Sequence, residues 1–253
     1  MNRIDERFAK VKADGRKALI TFLTVGDPNL EVSEKAIYTM QEEGVDLVEL
    51  GVPFSDPAAD GPVIQRADER ALAQGVDIFK VFELVRKIRN NVEVPMVFLL
   101  YYNVMVQYGI EKFFKRCQET GVDGLIIPDL PYEESDEIKE YTEKYGVYQI
   151  SLVSPTSKDR IKNIAKDAKG FLYCISSLGV TGEKSSFVTN FDEFVGTIKK
   201  YTDVPACVGF GVSNGRQVKE LTKYFDGAIV GSAIVKSIAT GESVEERINN
   251  LRE

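Results

Sequence analysis

Short apolar runs rich in Val, Ile and Phe recur along the 253-residue chain, and an amphipathic stretch follows each one. The runs are Ala18–Val25, Leu47–Leu50, Pro95–Tyr102, Gly124–Ile127, Val147–Val153, Gly170–Ser176, Ala206–Phe210 and Gly227–Val230. They are apolar at successive positions instead of alternating with polar ones, as strands buried on both faces should be. The stretches between them carry helical periodicity: Leu30–Glu43, Pro62–Gln74, Ile78–Arg89, Ile110–Thr120, Glu133–Tyr145, Lys158–Ala168, Phe191–Tyr201, Asn214–Tyr224 and Val244–Arg252. Eight strand-helix units in a chain of this length predict an α/β fold, a (β/α)8 TIM barrel, rather than a doubly wound sheet. Internal echoes agree. Gly-Val-Asp46 and Gly-Val-Asp123 each end a helix and launch a strand, and Val-Pro95 and Val-Pro205 each enter one. No linker or low-complexity tract interrupts the pattern, so residues 1–253 are expected to form a single domain. An extra helix is expected at the amino terminus and a short one after the eighth strand, opening at Gly231-Ser232-Ala233.

Composition narrows the chemistry. The chain has no histidine. Nucleophile systems that need an imidazole are therefore excluded, as are His-ligated zinc, haem and iron sites. Lys plus Arg is 32 against 39 Asp plus Glu, a net charge of -7, which disfavours nucleic-acid binding. No apolar run approaches the roughly 20 residues of a membrane span, and the charged amino terminus lacks a secretory core. Cys117, Cys174 and Cys207 are widely spaced and make no CxxC pair, which fits reduced thiols in a cytoplasmic protein.

In such a barrel the site is expected at the carboxyl ends of the strands. Glu49 stands there within Leu-Val-Glu-Leu-Gly. The outward face of a barrel strand is covered by helices and should be apolar, so a carboxylate is better placed pointing inward, towards the mouth. The following loop, GVPFSDPAADGP over Gly51–Pro62, adds Asp56 and Asp60. Each Asp alone is equally consistent with turn chemistry, but with Glu49 they form a carboxylate cluster suited to acid-base work without histidine. Glycine-bearing segments follow the last three strands: LGVTGEKSS over Leu178–Ser186, GFGVS over Gly209–Ser213, and Gly231-Ser232-Ala233. Backbone N–H groups there, with a helix amino terminus, suit a phosphate. There is no GxxxxGK[ST] motif for a P-loop. On these grounds alone another phosphosugar barrel enzyme, such as an isomerase, remains open, as does a non-catalytic subunit that activates a partner.

ELGVPFSDPAADGPVIQRA (Glu49–Ala67) resembles the signature of the tryptophan synthase alpha subunit family. IPDLPYEES (Ile127–Ser135), SLGVTG (Ser177–Gly182), GFGVS (Gly209–Ser213) and GSAIVK (Gly231–Lys236) match that family in order and spacing, so the resemblance spans essentially the whole chain. It implies a lyase that cleaves indole-3-glycerol phosphate to indole and glyceraldehyde 3-phosphate by a retro-aldol step, without a Schiff base or metal. It implies Glu49 as the general acid-base residue, Asp60 as acceptor of the indole N–H, and Tyr173 in support. Gly182, Gly211, Gly231 and Ser232 would hold the phosphate. Phe22, Leu99, Tyr101 and Phe210 would line the indole pocket.

The resemblance also implies a partner, a beta subunit that carries pyridoxal phosphate, in an α2β2 assembly through which indole passes. No cofactor is then expected in this chain. Asp56, Pro57, Asn103 and Pro131 match positions that contact that partner. Val104 departs from a Pro found in many relatives, and Ser177-Leu178 from an Arg followed by Ser or Thr. These departures bear on loop closure and partner signalling. The chain also has no tryptophan, which would let a tryptophan-supply enzyme be made when that amino acid is scarce.

Overall fold

The computed structural model describes residues 1–157, 159–175, 190–209 and 211–253. The elements run α1 (Arg3–Ala13), β1 (Ala18–Thr24), α2 (Leu30–Glu42), β2 (Leu47–Gly51), α3 (Pro62–Ala73), α4 (Ile78–Ile88), β3 (Met96–Leu99), α5 (Tyr102–Tyr108) and α6 (Ile110–Thr120). They continue with β4 (Gly124–Ile126), a 3-10 turn at Tyr132–Glu134, α7 (Asp136–Tyr145), β5 (Tyr148–Gln149), β6 (Leu152–Val153), α8 (Ile161–Asp167) and β7 (Leu172–Ile175). The last are α9 (Phe191–Lys199), β8 (Ala206–Gly209), α10 (Gly215–Leu221), β9 (Gly227–Val230), α11 (Ser232–Thr240) and α12 (Val244–Arg252).

All strand pairings are parallel, in the order β5-β4-β3-β2-β1-β9-β8-β7-β6. The two ends of that order, β5 and β6, are halves of the single predicted run Val147–Val153. Its first half bonds to β4, with the Ile150 N–H donating to Leu125 O at 2.8 Å. Its second half bonds to β7, with the Tyr173 N–H donating to Ser151 O at 3.0 Å. One strand therefore closes the ring, and the sheet is the expected barrel with no free edge.

Side-chain alternation sorts the strands into two layers of core. Ala18, Ile20, Leu47, Val97, Ile126, Ile150, Phe171, Tyr173, Cys207 and Ile229 pack together inside the barrel. The alternate positions, among them Leu19, Leu23, Val48, Leu50, Phe98 and Val208, pack outward beneath the helices. The amino-terminal α1 joins the inner cluster through Ile4, Phe8 and Val11, with the Phe8 and Phe171 rings 5.7 Å apart. Asn2 caps α1 and donates to Asp123 O and Gly146 O, just ahead of β4 and β5. The expected extra helix thus plugs the amino-terminal end of the barrel, and ligand access is left to the carboxyl end.

The Gly-Val-Asp echo has a structural reason. Asp46 accepts the Leu19 N–H at 2.9 Å and two guanidinium bonds from Arg16 at 2.7 Å. Asp123 accepts the Met96 N–H at 2.9 Å and is bridged by Arg3 and Arg89. Asp226 repeats the device, accepting the Ala206 N–H and Lys199. Each carboxylate ties the start of its own strand to that of a neighbour, at the end of the barrel where stability is the concern. Arg89 is the strongest of these ties: it also donates to Gly121 O at 3.0 Å, Val94 O at 2.7 Å and Val92 O. Arg89→Ala would leave a buried carboxylate with Arg3 alone and three carbonyls without their donor. We expect a loss of about 3 kcal/mol in stability, read from chemical denaturation; a loss below ~1 kcal/mol would show that water replaces the guanidinium.

Several element boundaries differ from the sequence pattern, three of them with consequences for the loops at the mouth. The expected strand Pro95–Tyr102 ends at Leu99, and α5, which the pattern does not show, begins at Tyr102. The Asp129 carboxylate accepts the Tyr102 N–H at 2.9 and 3.1 Å, so a residue 27 positions away fixes where the helix starts. The helix expected over Glu133–Tyr145 begins at Asp136, after the 3-10 turn, and that expected over Lys158–Ala168 covers Ile161–Asp167. Lys158 lies outside the described residues.

Candidate active site

Alternation carries the inner face of each strand upward from the core to the mouth. Two residues beyond Ile20 is Phe22, beyond Leu47 is Glu49, beyond Val97 is Leu99, beyond Phe171 is Tyr173 and beyond Cys207 is Gly209. These form the layer above the interior cluster. Phe22 and Glu49 are register partners on adjacent strands. Glu49 is 1% exposed, so the carboxylate is directed inward as the pattern predicts. Among the described residues its Oε1 has no hydrogen-bond partner. Burial alone pushes the carboxyl up to about 8, so at neutral pH it is an acid, able to give a proton.

Asp60 is brought to the same mouth by the β2–α3 loop. The Tyr101 hydroxyl donates to its Oδ2 at 2.8 Å and accepts the Ala59 N–H at 2.9 Å. The Phe54 ring, from the same loop, stacks on Tyr101 at 4.9 Å. Burial raises the Asp60 carboxyl above its ordinary value, and the Tyr101 hydroxyl offsets only part of that rise. Tyr173 is buried and held well above its ordinary range, by burial first and then by the charges of Glu49 and Asp60. Two carboxyl groups in different surroundings, one apolar and one hydrogen-bonded, can hold different protonation states.

Close packing leaves no slack in this layer. A Cβ on Gly51 would stand 2.5 Å from the Phe22 ring, and one on Gly209 would stand 2.5 Å from the Tyr173 hydroxyl. Leu99 packs against both the barrel core and the Phe22 cluster. Across from the carboxyl groups, α11 begins directly after β9 with Gly231 as its cap, and no side chain caps its amino terminus. Gly211 follows β8 with φ of 75°, a conformation that favours glycine. Gly231, Ser232 and Gly211 thus sit where a barrel offers N–H groups to an anion. Gly182, Phe210, Ser177 and Leu178 lie outside the described residues, as does the whole loop over 178–189.

Asp56 and Pro57 lie on the β2 loop, Asn103 at the start of α5, and Pro131 just before the 3-10 turn. The Tyr101 bonds tie the first loop to the second, and the Asp129–Tyr102 bonds tie the second to the third. Asp56, Asn103 and Pro131 are exposed, so the three loops share one rim.

The sequence pattern passed over Asp68. It is 4% exposed, on the inner face of α3 between Ala67 and Ala71. Burial and then the charge of Asp60 push it up to about 8. Thr24, on β1, favours its ionised form, yet the Thr24 hydroxyl closes no hydrogen bond of ordinary geometry among the described residues. The signal was present: an Asp falls within the stripe Ile64, Ala67, Ala71 of an otherwise amphipathic helix. Next to it, Asp27 is neutralised by Arg70 through bonds of 2.6 and 2.8 Å. No group of three or more Cys, Asp or Glu among the described residues is placed to hold a metal ion.

A family model described as tryptophan synthase alpha chain matches residues 8–253. This chain belongs to the tryptophan synthase alpha chain family. The tryptophan synthase alpha chain of Thermoanaerobacter sp. (strain X514) is 48% identical over 252 residues, covering 100% of this chain and 96% of that one. That of Methanocaldococcus jannaschii is 48% identical over 238 residues, covering 93% and 84%. Among solved structures, a ligand-free tryptophan synthase from Mycobacterium tuberculosis superposes with a TM-score of 0.90 at 32% identity, covering 100% and 98%. Tryptophan synthase subunit alpha from Legionella pneumophila gives 0.87 at 34%, covering 100% and 97%. Members of the tryptophan synthase alpha chain family are lyases of tryptophan biosynthesis that act on indole-3-glycerol phosphate, and the family needs no cofactor of its own. An alpha chain implies a beta subunit as partner. Among the described residues no helix is long and apolar enough to cross a membrane.

Proposed function

We propose that this chain cleaves indole-3-glycerol phosphate through Glu49 and Asp60, and the observation that carries the proposal is the buried carboxyl of Glu49 at the barrel mouth. The neutral Glu49 gives its proton to indole C3. The ring becomes an indolenine cation, whose charge Asp60 stabilises through the ring N–H. The carboxylate left on Glu49 then takes the proton of the glycerol hydroxyl next to the ring. The C–C bond breaks, its electron pair returns to the ring, and indole and glyceraldehyde 3-phosphate leave with Glu49 protonated again. Tyr173 packs beside the reacting side chain. Phe22, Leu99 and Tyr101 line the indole side with Phe210, and Gly211, Gly231 and Ser232 hold the phosphate with Gly182. Loop 51–62 closes over the substrate and excludes water.

Asp56, Pro57, Asn103 and Pro131 form the face for the beta subunit, which supplies pyridoxal phosphate, in an α2β2 assembly in the cytoplasm. Residues 1–253 act as one domain. The direct test is incubation of the purified chain with indole-3-glycerol phosphate, with indole and glyceraldehyde 3-phosphate quantified in equal amounts. Indole formation no faster than in buffer, with or without a beta subunit, would refute the proposal.

Gly209→Ala probes the support of Tyr173. The added methyl must push the phenol aside, and a shift near 1 Å can cost as much as a hundredfold in rate. We expect kcat to fall at least about tenfold, with an unchanged circular dichroism spectrum. An unchanged kcat would show that Tyr173 has room the packing does not suggest.

A further inference from the structure

We propose that Tyr101 is a positioning residue for Asp60, whose hydroxyl keeps Asp60, and not Asp68, the charged member of a carboxyl pair. This deepens the reading of Asp60 given above and rests on it. The geometry is specific. The Tyr101 hydroxyl donates to Asp60 Oδ2 at 2.8 Å, and the Ala59 N–H donates to the same hydroxyl at 2.9 Å. Accepting from Ala59 commits the one hydroxyl proton to Asp60. The Phe54 ring stacks on the phenol at 4.9 Å with 22° between planes, which fixes the ring against the loop that carries Asp60. The bond occupies Oδ2 and leaves Oδ1 for a ligand donor such as the indole N–H.

Two coupled carboxyl groups, Asp68 buried and Asp60 half-buried, resist carrying two charges, so the environment decides which one keeps the proton. Among the described residues the groups that act electrostatically with Asp60 are Tyr101 just after β3, Asp68 on α3 and Tyr173 on β7. Asp27 also acts on Asp68, but Arg70 neutralises it. Glu49 acts on Tyr173 from β2. Of the two carboxyl groups, Asp60 receives a full hydroxyl bond. Among the described residues Asp68 has Thr24 alone, which closes no hydrogen bond of ordinary geometry. A donor to the ionised form favours ionisation, so Asp60 takes the charge and Asp68 keeps the proton.

The test is a carboxyl carbon-13 NMR titration of Asp60 in the full chain, which needs no substrate. In Tyr101→Phe the Asp60 midpoint should rise by about one pH unit, a tenfold change. An unmoved midpoint overturns the proposal. If that variant fails to fold, 3-fluorotyrosine at position 101 keeps the shape and strengthens the donor, and the midpoint should fall; no change there is equally fatal. A second arm measures kcat for indole-3-glycerol phosphate at pH 6. Tyr101→Phe should lower kcat at least about twofold in the natural chain and no further in an Asp60→Asn background. An equal loss in both backgrounds would mean that Tyr101 serves only as a wall. Failure of the cleavage assay with a shifted NMR midpoint would sink the assigned reaction and leave this pairing standing.

Discussion

Glu49→Gln is expected to abolish most cleavage of indole-3-glycerol phosphate while making the protein more stable at alkaline pH relative to the natural chain. Gln keeps the shape of Glu but has no proton to give to C3, and proton transfer of this kind contributes about 10²- to 10⁴-fold. Burial raises the Glu49 carboxyl to about 8. The folded chain therefore holds a proton there that the unfolded chain releases near pH 4.3. The folded state binds more protons between those two values, so its stability falls as pH rises from about 4.3 to about 8, and is flat above. Gln removes that dependence and adds an amide that needs partners, so its own cost is constant with pH. The stability difference between variant and natural chain should move in the variant's favour by a few kcal/mol between pH 4.5 and pH 8. Denaturation across that range, with kcat beside it, checks both halves. A variant within threefold of the natural rate would remove Glu49 from the chemistry, and a pH-independent stability difference would remove the buried acid. In the natural chain, kcat/KM should fall as pH rises through about 8, because the required proton is lost from free Glu49.

Asp60→Asn carries the second large effect. The amide still accepts a hydrogen bond from the indole N–H but brings no charge to oppose the indolenine cation. Removal of a preorganised electrostatic partner costs about 10²- to 10³-fold in kcat. KM should change far less, because the ground-state ring is neutral and the charge exists only on the way to cleavage. A variant whose loss appears in KM with kcat unchanged would make Asp60 a binding residue only.

Much of this was legible in the residues. The run LVELG places one carboxylate opposite in phase to Val48 and Leu50, and helices cover the outer face, so an inward Glu49 follows from alternation and layer alone. The glycine-bearing ends of the last strands mark the place proposed for the phosphate for the same reason: N–H groups at a helix start are a local property. Tyr101 shows the limit. Its contacts with Phe54, Ala59 and Asp60 join residues more than forty positions apart, and no local pattern states which aromatic meets which acid. The start of α5 fails to appear in the pattern for a like cause, since Asp129 fixes it from the next loop.

Sequence by itself determined the eight-unit repeat, the inward carboxylate and a chemistry without histidine, because hydrophobic period and residue type act within a few residues of each other. Tertiary structure alone decided the closure of the ring through the divided fifth strand, the plugging of one end by α1, and the pairing of Asp60 with Tyr101 and Asp68. Those depend on desolvation and on hydrogen bonds between distant segments, and burial becomes a property of a residue only when the chain has closed around it.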